Sequence, residues 1–109
     1  MKYKNKKCMV DGVWFDSMKE AAVYQKLKIM QDAGEIEYLT RQEKFELVPS
    51  VILDGRKKPS AKYIADMSYI EGGVRKIVDV KSKITRKLPM YRLKKHMMKH
   101  LYNIDIIEI

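Results

Sequence analysis

Asp66 and Asp79, on either side of Gly72-Gly73, are the residues of this sequence best placed to do chemistry together. The segments around them, Lys62 to Ile70 and Arg75 to Ser82, alternate as strands, and a Gly-Gly pair between them signals a two-residue hairpin. Glu71 then faces Val74, and counting back in register sets Asp66 opposite Asp79 and Ile64 opposite Lys81. Alternation projects Asp66, Asp79 and Lys81 from one face and Val78 and Val80 from the other. Opposed Cβ atoms lie about 5 Å apart, so two carboxylates placed there repel. Asp is also a poor strand former. A hard divalent cation offsets that repulsion, since Mg²⁺ takes oxygen ligands and commonly uses one or two carboxylates with water and substrate phosphates. The plain alternative is a solvated face on which the aspartates are tolerated or pair with nearby lysines. Ile64, Ile70 and Ile77 share the face and argue against full solvation. A bulge in either strand would slip the register by one and separate the pair.

Two further residues bear on this patch. Lys81 can be an ordinary surface lysine, but two residues after Asp79 it stays on the carboxylate face, where an ammonium can orient a water or stabilise developing phosphate charge. Glu20 follows Ser17 in the Ser-x-x-Glu pattern of a capping box, which explains it without chemistry; it also opens the apolar stripe Val23, Tyr24, Leu27 and Met30 of the same helix. Both roles stay open for it. His96 and His100, at i and i+4, have zinc-ligand spacing but no third ligand in the neighbouring sequence, and fit a basic helix face better.

The elements that must position these residues follow from patterning. Residues 6 to 15 surround Asp11-Gly12 and suit a short hairpin ending at Trp14-Phe15. A helix of about four turns runs from Ser17 to the stop at Gly34. Ile36 to Val48 is extended, and Pro49 stops it. Residues 50 to 61, with Asp54-Gly55 and Arg56-Lys57-Lys58-Pro59, suit a mobile basic loop able to grip phosphates. Pro89 opens a second helix to about Tyr102, with Met90, Leu93, Met97 and Leu101 as its apolar stripe and Arg92, Lys95 and Lys99 on another face. Ile104 to Ile109 closes the chain as an apolar strand, internal to the sheet or flanking it. The order is helix, three strands, helix, strand, an α/β arrangement around a central mixed sheet.

Composition limits the partners. The 109 residues fit one domain, 1 to 109, with no repeats or linkers, so any active site shares the domain with its core. Lys and Arg number 23 against 14 Asp and Glu, and a net charge of +9 favours a polyanionic partner, nucleic acid or an anionic membrane surface. No apolar run reaches the roughly 20 residues of a membrane span. The start, Met1 to Lys7, lacks the apolar core of an export signal, so a cytoplasmic protein is expected. A single cysteine, Cys8, allows no internal disulfide and no thiolate zinc cluster.

Helix-borne Glu20, then Asp66, then Asp79-Val80-Lys81 resembles the PD-(D/E)XK nuclease superfamily, whose core runs helix, three strands, helix, strand; Ala65 stands where the name-giving proline would be. More closely, Phe15-Asp16-Ser17-Met18-Lys19-Glu20-Ala21, Gln42-Glu43-Lys44-Phe45-Glu46-Leu47, Lys62-Tyr63-Ile64-Ala65-Asp66 and Val78-Asp79-Val80-Lys81 are similar to a family of small phage-encoded proteins grouped with Holliday junction resolvases. The resemblance implies a restriction-endonuclease-like core and a homodimer that hydrolyses phosphodiester bonds in branched DNA, in the host cytoplasm if phage-encoded. It implies that Glu20, Asp66 and Asp79 hold Mg²⁺, for which Mn²⁺ can substitute, and that Lys81 positions the attacking water. Arg56, Lys57, Lys58, Arg86, Lys87, Arg92, Lys95 and Lys99 would then contact the DNA backbone, without base specificity. Cleavage of ordinary duplex, or nucleic-acid binding without catalysis, are the alternatives.

Overall fold

The computed structural model describes residues 6–109; the Met1–Asn5 part of the start read as lacking an export signal lies outside them. The chain begins with the hairpin of β1 (Cys8–Val10) and β2 (Val13–Phe15), then α1 (Met18–Asp32) and the long β3 (Glu37–Val48). A second short hairpin follows, β4 (Val51–Leu53) and β5 (Arg56–Lys58), then β6 (Ala61–Glu71) and β7 (Val74–Asp79). The one-turn α2 (Lys83–Arg86), α3 (Pro89–Tyr102) and β8 (Ile106–Glu108) complete it. The main sheet has four strands in the order β3-β6-β7-β8, antiparallel except for the parallel β7-β8 pair. It is a mixed sheet flanked by helices, as expected, but the element order is richer than helix, three strands, helix, strand. The β1-β2 hairpin is the one expected around Asp11-Gly12, the β4-β5 hairpin and α2 are additions, and β8 lies at an edge of the sheet. Among the described residues no helix is long and apolar enough to cross a membrane.

Local chemistry explains where α1 starts and ends. Ser17 is its N-cap, and the Ser17 Oγ accepts from the Glu20 N–H at 3.0 Å. Ala33 and Gly34 turn the chain out of the helix, Gly34 at φ 79°. Pro89 begins α3, where its missing N–H is not needed, and left-handed Asn103 ends it.

Two apolar clusters hold the helices to the sheet. Leu27 packs with Ile36, Met67, Tyr69 and Val78, joined by Val23, Tyr24 and Met30, so the α1 stripe is as patterned. Tyr91 and Met98 of α3 pack with Phe45, Leu47, Tyr63, Ala65, Ile77 and Ile106. Here the expected stripe is corrected: Met90, Leu93 and Leu101 are exposed, and Met97 only leans on the cluster. The Tyr91 hydroxyl donates to Glu108 at 2.6 Å and Lys95 pairs with the same carboxylate at 3.2 Å. These contacts roll the helix so that Tyr91 and Met98, two turns apart, face the sheet instead.

Membership of the two clusters exposes a change of phase in the sheet. Tyr63 and Ala65 belong to the α3 side, yet Met67 and Tyr69, which strict alternation would put beside them, belong to the α1 side. In the neighbouring strand Leu39 is on the α1 side and Phe45 and Leu47 on the α3 side, and between them Gln42 adopts φ 54°. The β3-β6 register is the same before and after this point, Arg41 with Met67 and Glu43 with Ala65, so both strands switch faces together around Gln42 and Asp66. The single face expected to carry Ile64, Asp66, Ile70 and Ile77 is therefore broken up: Ile64 is exposed and Ile77 is buried with α3.

The β6-β7 hairpin has the register counted from its turn, Glu71 with Val74 through Met67 with Val78. Gly72 and Gly73 both have positive φ, 58° and 77°, which strand twist demands of a two-residue turn and which a Cβ opposes. Gly73→Val is expected to lower stability by roughly 1–2 kcal/mol, read as a lowered urea midpoint at constant m-value.

Candidate active site

The ladder between β6 and β7 stops one step short of Asp66 and Asp79. At that step β6 changes faces, and the Asp66 side chain takes over what the strand backbone no longer supplies: its Oδ2 accepts from the Val80 N–H at 2.8 Å. On its other side the end of β7 is held by Ile109, whose N–H donates to Asp79 O at 3.0 Å and whose carbonyl accepts from Lys81 N–H at 3.1 Å. Asp66 and the 79–81 segment are thus fixed from both flanks. Bulge-like irregularity that re-aims one side chain is a recurrent feature of strands beside active sites.

Asp79 is fully buried. The buried Tyr63 hydroxyl donates to its Oδ2 at 2.7 Å, and among the described residues its Oδ1 has no hydrogen-bond partner, with Lys81 Nζ at 3.5 Å. Lys81 is itself steadied over the Tyr91 ring, 5.0 Å from the centroid. Glu20 is 7% exposed. Its backbone fills the capping role, but among the described residues its carboxylate does not return to the Ser17 N–H as a full capping box requires; it faces Asp66 instead. Glu20, Asp66 and Lys81 line one open pocket of about 380 Å³ together with Asp16, Ser17, Lys19, Val80, Ser82 and Thr85, and Asp79 lies behind it.

The electrostatics match that placement. The Glu20 carboxyl is pushed up to about 7 by burial first and then by the charge of Asp66, with Asp16 adding to the effect and Arg41 opposing it. Asp79 is pushed up to about 7 as well, by burial and then by Asp66, against the Tyr63 hydrogen bond and Lys81. Asp66 is therefore the common neighbour of both. Tyr63 is held far above the ordinary phenol range by burial and by Asp79, so it remains a donor.

A divalent metal fits this donor set. The three acids offer only hard oxygens, and the buried Asp79 Oδ1, which has the Lys81 ammonium at 3.5 Å but no hydrogen bond among the described residues, keeps a lone pair open. Among the described residues no three His, Cys, Asp or Glu side chains form a ready-made metal cage. Mg²⁺ does not require one, because it keeps several waters and completes its shell with substrate oxygens.

The sequence-derived DNA contacts are dispersed. Arg56, Lys57 and Lys58 form a strand rather than a loop. Arg86 is half-buried on α2, Lys95 pairs with Glu108, and Lys99 pairs with Asp105 at 2.9 Å, while Lys87 and Arg92 are exposed. His96 and His100 are both exposed on α3. Sequence reasoning missed Asp16, Lys19, Ser82 and Thr85 on the pocket wall, and Tyr63 behind it. Asp16 and Lys19 flank the cap residue and Ser82 follows Lys81, so nearness to the chosen acids was their only signal.

The family profile described as "Protein of unknown function (DUF1064)" matches residues 1–107, and the chain belongs to that family. Neither the curated proteins nor the solved structures contain a match.

Both raised acids carry a sign that heat melts can read. A carboxyl whose folded pKa exceeds its unfolded value stabilises the fold while protonated and loses that contribution as pH rises through the folded value. Metal-free protein is therefore expected to lose on the order of 2–4 kcal/mol of this contribution between pH of about 4 and about 7. Asp79→Asn removes one of the two charges and should melt higher than the parent at pH 8 but not at pH 5, by roughly 5 °C. Equal melting of the two proteins at both values would contradict the buried charge. Tyr63→Phe takes the donor from Asp79 Oδ2 and is expected to cost about 1–3 kcal/mol, read by denaturant unfolding.

Proposed function

We propose that this protein is a metal-dependent DNA endonuclease of the PD-(D/E)XK type that hydrolyses phosphodiester bonds in branched DNA. The observation that carries the reading is the meeting of Glu20, Asp66, Asp79 and Lys81 at one end of the sheet, around a buried carboxylate oxygen with no hydrogen bond among the described residues. Structural packing alone gives no reason to bury Asp79 beside another acid, since a buried carboxylate is costly even with the Tyr63 hydrogen bond and the Lys81 ammonium beside it.

Phosphodiester hydrolysis needs a nucleophile at neutral pH, relief of phosphate charge, and in-line approach. Glu20, Asp66 and Asp79 would hold Mg²⁺ or Mn²⁺, which supplies a more acidic water and offsets charge on a non-bridging oxygen. Lys81, beside Asp79 and backed by the Tyr91 ring, has a donor at the pocket wall that can orient the attacking water. The pocket is open enough to admit a backbone from solution, and Lys19, Ser82 and Thr85 on its rim can donate to phosphate oxygens. One copy brings one such site, so paired incision of a four-way junction calls for a homodimer. Cleavage of unbranched duplex uses the same chemistry and differs only in the DNA presented.

Purified protein incubated with a labelled four-way junction and with matched linear duplex tests the reading. Cleavage is expected with Mg²⁺, not with chelator and not with Asp79→Asn, and Lys81→Ala should slow it by about 10²-fold. Absence of metal-dependent cleavage of either DNA would refute the nuclease assignment. Equal cleavage of both would refute branch selectivity alone.

A further inference from the structure

The β4-β5 hairpin is not part of the main sheet. Its strands pair only with each other, Val51 with Lys58, Ile52 with Lys57 and Leu53 with Arg56, through the turn at Asp54 (φ 53°) and Gly55 (φ 76°). All six strand residues are exposed, Ile52 at 72%. The chain's radius of gyration, 15.8 Å, exceeds the roughly 13 Å of a compact domain of this length, as a projecting element requires. An isolated two-stranded ribbon with an aliphatic strand in water gains little from its own contacts. Its composition points to what the ribbon meets.

Residues opposite each other in a hairpin share a face. Lys57 therefore lies on the face of Ile52, while Arg56 and Lys58 lie on the face of Val51 and Leu53. Cations occur on both faces of the ribbon, along one edge, and aliphatic side chains along the other. A flat anionic surface would engage cations on one face. Two phosphate rows, one on each side, engage both, and the major groove of duplex DNA has that geometry at about 12 Å wide, a width that admits a two-stranded ribbon. From Pro49 to the turn the arm reaches about 20 Å at strand rise, long enough to follow the groove beyond the cleavage site.

We infer that β4-β5 is a DNA-reading arm that lies in the major groove of a duplex segment, with Arg56, Lys57 and Lys58 on the flanking phosphates and Ile52 and Leu53 against base edges. This rests on the DNA-cleaving reading for its choice of polyanion, but it concerns binding, and binding is measured with metal chelated and no cleavage.

Fluorescence anisotropy with a short labelled duplex in EDTA, over a series of salt concentrations, tests it with two variants of the full chain. Arg56→Ser/Lys57→Ser/Lys58→Ser should weaken binding by on the order of tenfold and make the dependence of log affinity on log salt shallower by about two to three. Ile52→Ser/Leu53→Ser leaves charge unaltered and should weaken binding severalfold with no change of slope. Both should melt as the parent does, since the arm lies outside both core clusters. Unchanged affinity and slope in the triple variant would overturn the arm's role. Loss in the triple variant with none in the aliphatic one would overturn groove insertion, leaving only bulk charge. Arm-dependent binding to phosphatidylserine vesicles without arm-dependent binding to DNA would overturn the choice of partner. Arm-dependent DNA binding by a protein that cleaves nothing would sustain the arm and refute the nuclease.

Discussion

Asp66 lies between two other acids, and the arrangement of this end of the sheet follows from keeping it there. Its carboxylate accepts from Val80 N–H where the β6-β7 ladder gives out, and its charge, after burial, helps push both Glu20 and Asp79 up to about 7. Nothing on the Asp79 side relieves this repulsion completely. Tyr63 satisfies one oxygen, Lys81 stands at 3.5 Å from the other, and Ile109 pins the backbone at Asp79 and Lys81. The supports come from β6, from the residues that follow β7 and from the residue that follows β8, so separate parts of the chain are committed to Asp79.

On the proposed reading, this arrangement would couple the fold to the cation that the site takes. A carboxyl with a pKa near 7 must give up its proton before it can bind metal, so metal uptake, proton release and stability are linked. The metal-free protein is least favourable at the pH where it is best prepared to bind. Replacing the acids by neutral isosteres would suit the fold better and the chemistry worse, which is the usual relation between stability and a strained functional site.

Much of this was legible in the sequence where a local rule fixes geometry. Gly72-Gly73 determines a turn, and a turn determines register, so the pairing from Glu71 with Val74 to Met67 with Val78 followed from counting, while the ladder ends before the step that would set Asp66 opposite Asp79. Ser17 and Pro89 mark helix starts for similar reasons. What escaped depends on distant packing. Nothing local to Gln42 announces φ 54°, so the switch of faces in β3 and β6 was invisible, and with it the separation of Asp66 from the buried face of Ile77. The roll of α3 was hidden for the same cause. Its most regular apolar stripe, Met90, Leu93 and Leu101, faces outward while Tyr91 on another face reaches Glu108 in β8.

The switch of faces also explains why the acids sit where they do. In so short a chain one sheet must serve a core on each side, one under α1 and one under α3. Glu20 belongs to the first helix, and Tyr63 and Tyr91, which brace Asp79 and Lys81, belong to the second cluster. A regular strand would send alternate side chains to one core or the other and keep the two sets apart. Where β6 changes phase, a single residue is released from that alternation, and Asp66 is that residue. It can touch the acid of α1 and reach the end of β7 at once. A rule broken at one point of an otherwise regular strand is expected where function, not packing, selects the geometry. The irregular step in β6 is therefore the structural condition for a site assembled from both sides of the sheet.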